Sequence, residues 1–218
     1  MIRIALLNPN ANKETTARMT EIASETAGPD IVFTGFTAPA GPMIVADEAA
    51  LEAAAQMVIA RGEELGGGEF DGVLISGFGD PGLDRLRARI AIPVTGIAEA
   101  GMRDATQGGR RFSIVTTTPR LKAAIISRAI RLGHGESLIC VRLAGPEEVM
   151  HDPPRLREAL LLACRQSISE DGAEVILIGG GPLADAARAI APLIAVPIVE
   201  PIAAGVGLAR ARAELKVV

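Results

Sequence analysis

Two glycine turns hold most of the residues of this chain that could do chemistry. Gly77-Phe78-Gly79-Asp80-Pro81-Gly82 follows the apolar run Val73-Leu74-Ile75-Ser76, and Gly179-Gly180-Gly181 follows Val175-Ile176-Leu177-Ile178. Asp80 reads as a helix N-cap and Pro81 as the first helical residue. A buried strand running into a helix N-terminus presents free N–H groups and the positive end of the helix dipole, which suits an anion or a polarised carbonyl. Ser76 offers a hydroxyl that would need its own base. Glu99 and Glu200 each follow a short strand and could serve as polar contacts, or as bases if burial raises their pKa. Asn8 and Asn10 could bind a carboxylate, with turn formation as the competing role. Thr116, Thr117 and Thr118 could do the same, with helix capping as the competitor. His134 and His151 stand apart with no clustered cysteines, so no metal pattern is present. Cys140 and Cys164 lie in apolar segments and read as small core residues.

The first turn admits three readings. Gly77-x-Gly79-x-x-Gly82 spells a dinucleotide fingerprint, with Glu99 near the distance of a ribose-binding acid. It could be an ordinary strand-to-helix turn. Or it could be one part of a small-molecule site shared with the later glycine turn. There is no Walker-type phosphate loop and no serine-hydrolase elbow.

Composition narrows the classes. The 218 residues suffice for one large α/β domain or two small ones, and 49% of them are hydrophobic, enough for a substantial core. Aromatics make up 2%, with no Trp and no Tyr, so platforms for stacking bases are nearly absent. The formal net charge of −4 argues against nucleic acid and anionic membranes as partners. No apolar run reaches transmembrane length and no signal peptide is evident, while two cysteines suit a reducing cytosol, so a cytoplasmic protein is expected.

Apolar runs predict strands at 2–7, 31–37, 73–76, 92–94, 112–115, 137–143, 175–178 and 195–199. Helices are predicted at about 13–26, from Asp47 to the Gly66-Gly67-Gly68 break, after Pro81, at 97–105, from Pro119 to about 132, from Asp152-Pro153-Pro154 onward, and at the end to about 215. Arg85, Arg87 and Arg89 read mainly as a solvated helix face. Strands alternate with helices and are continuous apolar runs, the pattern of parallel sheets covered on both faces.

The second half repeats the first. Arg3 to Asn10 matches Arg111 to Thr118, Val73 to Gly77 matches Ile176 to Gly180, and Ile92-Pro93-Val94 with Gly101 matches Val196-Pro197-Ile198 with Gly205. Two similar lobes with a ligand cleft between them, at the carboxyl ends of the strands, are expected.

Asn8-Pro9-Asn10, Gly77 to Leu83, Pro93 to Ala100, Ser113 to Thr117 and Gly179-Gly180-Gly181 together resemble the aspartate/glutamate/hydantoin racemase superfamily, nearest its hydantoin and allantoin racemase branch. The resemblance spans nearly the whole chain, and Phe-Gly-Asp-Pro-Gly-Leu is its most specific motif. It implies an α/β fold of two pseudo-symmetric lobes, each a parallel four-stranded sheet flanked by helices, with boundaries expected at 1–97 plus 201–218 and at 98–200. It also implies cofactor-free racemisation by two cysteines, one per lobe, on opposite faces of the substrate α-carbon. Those cysteines fall on Gly77 and Gly180 here, and glycine has no side chain to carry a proton. Losing both groups should abolish two-base racemisation.

The expectation is therefore a protein that binds a small carboxylate, ureide or cyclic amide through Asn8, Asn10, Gly77, Phe78, Thr116, Thr117, Gly180 and Gly181. It would need no cofactor or metal and would form a homo-oligomer. Cysteine-free proton transfer next to a carbonyl, with Ser76, Glu99 and Glu200 as candidate groups, is one outcome. A decarboxylase or lyase, or an inactive ligand-binding homologue, is the other.

Overall fold

A computed structural model describes residues 1–216. Its elements alternate: β1 (Ile2–Asn8), α1 (Lys13–Ala27), β2 (Ile31–Thr37), α2 (Glu48–Leu65), β3 (Gly72–Ile75), α3 (Leu83–Arg87), β4 (Val94–Gly96), α4 (Ile97–Ala105), β5 (Phe112–Thr116), α5 (Lys122–Arg131), β6 (Leu138–Leu143), α6 (Pro153–Ser169), β7 (Val175–Ile178), α7 (Ala184–Ile190), β8 (Ile198–Val199) and α8 (Pro201–Lys216). The chain forms two compact units, Met1–Ala100 with Ile202–Val218, and Gly101–Pro201.

Each unit holds one four-stranded sheet, ordered β2-β1-β3-β4 in the first and β6-β5-β7-β8 in the second. All neighbouring strands are parallel. The α/β class with two flanked parallel sheets is thus as expected. The repeated segments occupy the same topological places: β1 corresponds to β5, β3 to β7 and β4 to β8. The two glycine turns follow equivalent strands.

Continuous burial holds for β3, β4, β5 and β7 but not for every outer strand. All of β3 and β7 is buried, whereas β2 alternates, with Ile31 and Phe33 buried and Val32 41% exposed. An edge strand lacks a neighbour on one side, so its apolar run signals a strand without guaranteeing cover on both faces. In the first unit Ala5, Leu7, Val73 and Ile75 pack against Val58 and Ile59 of α2 and Leu83 and Leu86 of α3. In the second, Val115, Ile176 and Ile178 pack against Leu160 and Cys164 of α6 and Ala187 and Ile190 of α7. Cys164 is a core residue, as read, and burial pushes its thiol up to about 12. Cys140 is not fully core: it lies half-buried on edge strand β6 with Sγ 3.2 Å from Asp171 Oδ2.

Local signals set most helix starts. Asp47 Oδ1 accepts from Ala50 N at 2.9 Å at the head of α2, and Asp152 caps α6 with Pro153 in its first turn. β4 and β8 begin later than their apolar runs suggest, directly after Pro93 and Pro197. Proline has no N–H for the ladder, but its carbonyl remains available: Pro93 O accepts from Val73 N at 2.8 Å and Pro197 O from Ile176 N at 3.0 Å.

Two caps were misassigned. No threonine side chain caps α5, which is entered through a 3-10 turn at Pro119–Leu121. Asp80 does not cap α3 either. That helix is five residues long and starts after Gly82, whose φ of +74° is accessible to glycine at little cost.

Candidate functional site

In the first unit the ends of β1 and β3 carry the expected residues. Asn8 and Asn10 form a closed amide network. Asn8 Nδ2 donates to Asn10 Oδ1 at 2.9 Å and to Thr16 Oγ1 at 2.9 Å, while Asn10 N donates to Asn8 Oδ1 at 3.2 Å. Asn10 Oδ1 also accepts from Asn12 N at 3.0 Å, and Asn12 in turn caps α1. Asn8 therefore shapes the turn and the head of α1. Asn10 differs. Two backbone or amide donors fix its oxygen, so the nitrogen end is set by the network. Its Nδ2 hydrogens have no acceptor among the described residues, although the residue is only 6% exposed.

The Gly77 turn also leaves donors free. Ser76 N and Ser76 Oγ both donate to Leu7 O, at 2.9 and 3.1 Å. The Ser76 proton is thus committed to a backbone carbonyl, and Ser76 is a structural hydroxyl. Gly77 N and Phe78 N, just beyond it, have no acceptor among the described residues. Both residues are half-buried. Unpaired N–H groups at a half-buried turn, and an unpaired side-chain amide in the same unit, seek acceptors.

Glu99 lies in the first turn of α4, but its carboxylate is occupied. Arg212 Nη2 and Nη1 donate to Oε1 and Oε2 at 2.9 and 2.8 Å, and Arg87 Nη2 donates to Oε2 at 2.6 Å. Both guanidiniums also bond Val94 O. Burial alone would raise this carboxyl. The hydrogen bonds and charges of Arg212 and Arg87 outweigh it and hold the group at about 2. A carboxylate that acidic is a weak base at neutral pH. Arg87 is consequently not part of a solvated face, unlike Arg85 and Arg89, which make exposed pairs with Glu52 and Glu63.

In the second unit Thr116 Oγ1 donates to Gly179 O at 2.8 Å and lies 3.1 Å from Thr118 Oγ1. Since Thr116 has one proton, Thr118 is the donor between them. Thr117 Oγ1 donates to Met150 Sδ at 2.9 Å. Gly179 N donates to Val115 O, and Gly180 N has no acceptor among the described residues. Gly181 is buried at the start of a short 3-10 turn. Glu200 is half-buried at the step from β8 into α8. His134 is half-buried with Nδ1 3.4 Å from Thr106 Oγ1, and His151 is exposed.

A side chain at the two glycines would fare differently. A Cβ at Gly180 would meet only Leu183 side-chain atoms, at 3.3 Å, whereas one at Gly77 would come within 2.5 Å of the Pro9 ring.

The fingerprint reading lacks its helix: α3 has too few turns to present an N-terminal dipole to a pyrophosphate, and Glu99 is bound by arginines. Among the described residues no group of three or more His, Cys, Asp or Glu is placed to hold a metal ion, and no helix is long and apolar enough to cross a membrane.

Sequence reasoning missed Arg212, Arg87 and the true partner of Asp80. The Asp80 carboxylate accepts from Ala98 N and Glu99 N, both at 2.8 Å, and so caps α4 instead of α3. No local signal pointed to these long-range contacts. Gly96 was the one available hint, because a Cβ there would collide with the Asp80 carboxylate.

Known proteins share this arrangement across the whole chain. Residues 4–209 match the family model of Asp/Glu/hydantoin racemases. A hydantoin racemase of Rhizobium meliloti is 30% identical over 217 residues, covering 96% of this chain and 88% of that protein. The allantoin racemase from Pseudomonas fluorescens superposes with a TM-score of 0.91 at 30% identity, covering 99% of this chain and 92% of that one. The allantoin racemase from Klebsiella pneumoniae gives 0.93 at 28% identity, over 99% and 89%. Sequence, topology and paired strand-end turns therefore converge, and the chain belongs to the Asp/Glu/hydantoin racemase family.

Proposed function

We propose that this protein is a racemase-like enzyme that binds a small carboxylate, ureide or cyclic amide at its strand-end turns. It would move a proton at a carbon next to a carbonyl without a thiol pair or a cofactor. The observation that carries this reading is the set of unpaired donors: Gly77 N, Phe78 N and Asn10 Nδ2 in one unit, and Gly180 N in the other. Such donors stabilise oxygen that gains negative charge when an adjacent C–H is deprotonated.

A second reading has specific support. Ser76 gives its proton to Leu7 O, and Glu99 is held by Arg87 and Arg212. With these two candidate groups so engaged, a homologue that binds ligand without turning it over is favoured next.

Incubation with 5-substituted hydantoins, allantoin and amino acids in deuterated buffer separates the two. Enzyme-dependent deuterium incorporation at the α-carbon is the expected result. Stabilisation by one of these compounds without incorporation would establish the binding homologue, and neither effect would reject both readings.

The alignment of the lost thiols makes a separate prediction. Gly180→Cys should fold with stability close to the parent, since only the flexible Leu183 side chain, at 3.3 Å, must give way slightly. Gly77→Cys should cost about 1–3 kcal/mol, because the Pro9 ring must shift. The double variant should racemise a hydantoin faster than the parent and either single variant do, as measured by loss of optical rotation. A folded double variant with no activity on any tested hydantoin would count against the alignment.

A further inference from the structure

Asp80 is the single non-glycine residue with positive φ among the described residues, at +53°. It is 4% exposed. A β-carbon in that region of the map carries strain, which persists only where the surroundings over-determine it. Here the surroundings do so. Both carboxylate oxygens are fixed on the first free amides of α4, Ala98 N and Glu99 N, and Gly96 has no side chain, which leaves room for them. The main chain of Asp80 is held as well: its N–H donates to Gly77 O at 3.1 Å, and its carbonyl accepts from Leu83 N at 3.2 Å.

The second unit provides an internal comparison. Leu183 stands at the same distance after Gly180 as Asp80 does after Gly77, and Leu183 N donates to Gly180 O at 3.1 Å. Leu183 has an ordinary helical backbone and a core side chain. The turn thus closes by the same main-chain bond without an acid and without strain. The carboxylate in the first unit must add something beyond turn closure. What it adds is a rigid link from the Gly77-Phe78-Gly79 loop to the head of α4.

We propose that Asp80 is a positioning residue: its strained backbone and its two bonds to α4 fix the direction of the unpaired Gly77 and Phe78 N–H groups, so that they meet a ligand oxygen without reorganisation. This rests on the reading of that turn as ligand-binding. Pre-set donors are the form in which backbone amides stabilise developing negative charge, and ordering them in advance removes an entropic cost of binding.

The test uses the full chain with Asp80→Asn and Asp80→Ala, followed by backbone 15N relaxation. In the parent, Gly77, Phe78 and Gly79 amides should be as rigid as those of Leu74, with order parameters near ~0.85. In Asp80→Ala they should fall below about 0.6, with Asp80→Asn between, while Leu74 and Ala5 stay rigid. A purely structural cap would loosen the first turn of α4 and leave the Gly77–Gly79 amides unchanged; that result, in either folded variant, overturns the proposal. If Asp80→Ala does not fold, Asp80→Asn decides alone. Titration with hydantoin and allantoin forms the second arm. Where the parent binds either one, Asp80→Asn should weaken it at least about tenfold, matching removal of a preorganised donor pair. A parent that binds neither compound rejects the functional reading, and the amide order still decides the role of Asp80.

Discussion

Glu99→Gln should lower stability by about 3 kcal/mol and the Tm by roughly 6–12 °C. The reason is what it leaves behind. The Glu99 side chain is only 12% exposed, and it neutralises Arg212 and Arg87, which are 26% and 31% exposed. Glutamine keeps the shape and one acceptor oxygen, but two partly desolvated cations would then face each other with no counter-charge. Removing one partner of such a network costs far more than removing an exposed pair like Arg85–Glu52. Urea unfolding at neutral pH measures the loss, and a change below about 1 kcal/mol would refute this account of the network.

The same carboxylate sets an acid limb. Its pKa is lowered from 4.5 to about 2 in the folded protein. A depressed folded value means that the unfolded chain binds the proton more readily, so the stabilisation is complete above about 4.5 and is lost as pH falls toward 2. The shift corresponds to about 3 kcal/mol. Across pH 5 to 2 the parent should lose that much more than Glu99→Gln does, and parallel profiles would show that other carboxylates govern acid unfolding.

Gly96→Ala should be the most damaging single methyl addition in the first unit, at about 3–5 kcal/mol. Its Cβ would occupy the space of the Asp80 carboxylate, which is buried. Displacing that carboxylate breaks two charge-assisted bonds to Ala98 N and Glu99 N and leaves the head of α4 uncapped. The diagnostic is a double-mutant cycle. Because both changes act on one contact, Asp80→Ala should cost less than about 1 kcal/mol when added to Gly96→Ala, though several in the parent background. Additive losses would mean that Gly96 is required for some other reason.

Asp80, Gly96 and Glu99 meet in one region with the Gly77 turn, the junction of the β3 turn, the end of β4 and the head of α4. Asp80 ties the turn to the helix, and Glu99, whose own N–H Asp80 caps, ties the helix to α3 and α8. Three of the six residues of this turn, Gly77 to Gly82, are glycine, so its order is proposed to come from these neighbours. Glu99, a candidate base by sequence, is instead bound by Arg87 and Arg212.

The sequence by itself determined the parallel sheets, the repeat and the secondary-structure order apart from α7, which it did not reveal. These depend on near-neighbour physics: apolar runs of strand length, Asp47 and Asp152 caps, and glycines or prolines that stop a ladder. The family motifs likewise sit in contiguous stretches, so the racemase relationship was legible before any coordinates. The fate of each polar side chain was not. Glu99 meets Arg212 across 113 residues of chain, and Asp80 reaches its amide partners 18 and 19 residues away. Whether a carboxylate is a base or a brace depends on which charges the fold brings within 3 Å and on how much water it excludes. Spacing along the chain encodes neither quantity. Only the tertiary structure could therefore separate Asn10, with an unspent amide, from Asn8, and could show that Ser76 and Glu99 are already engaged.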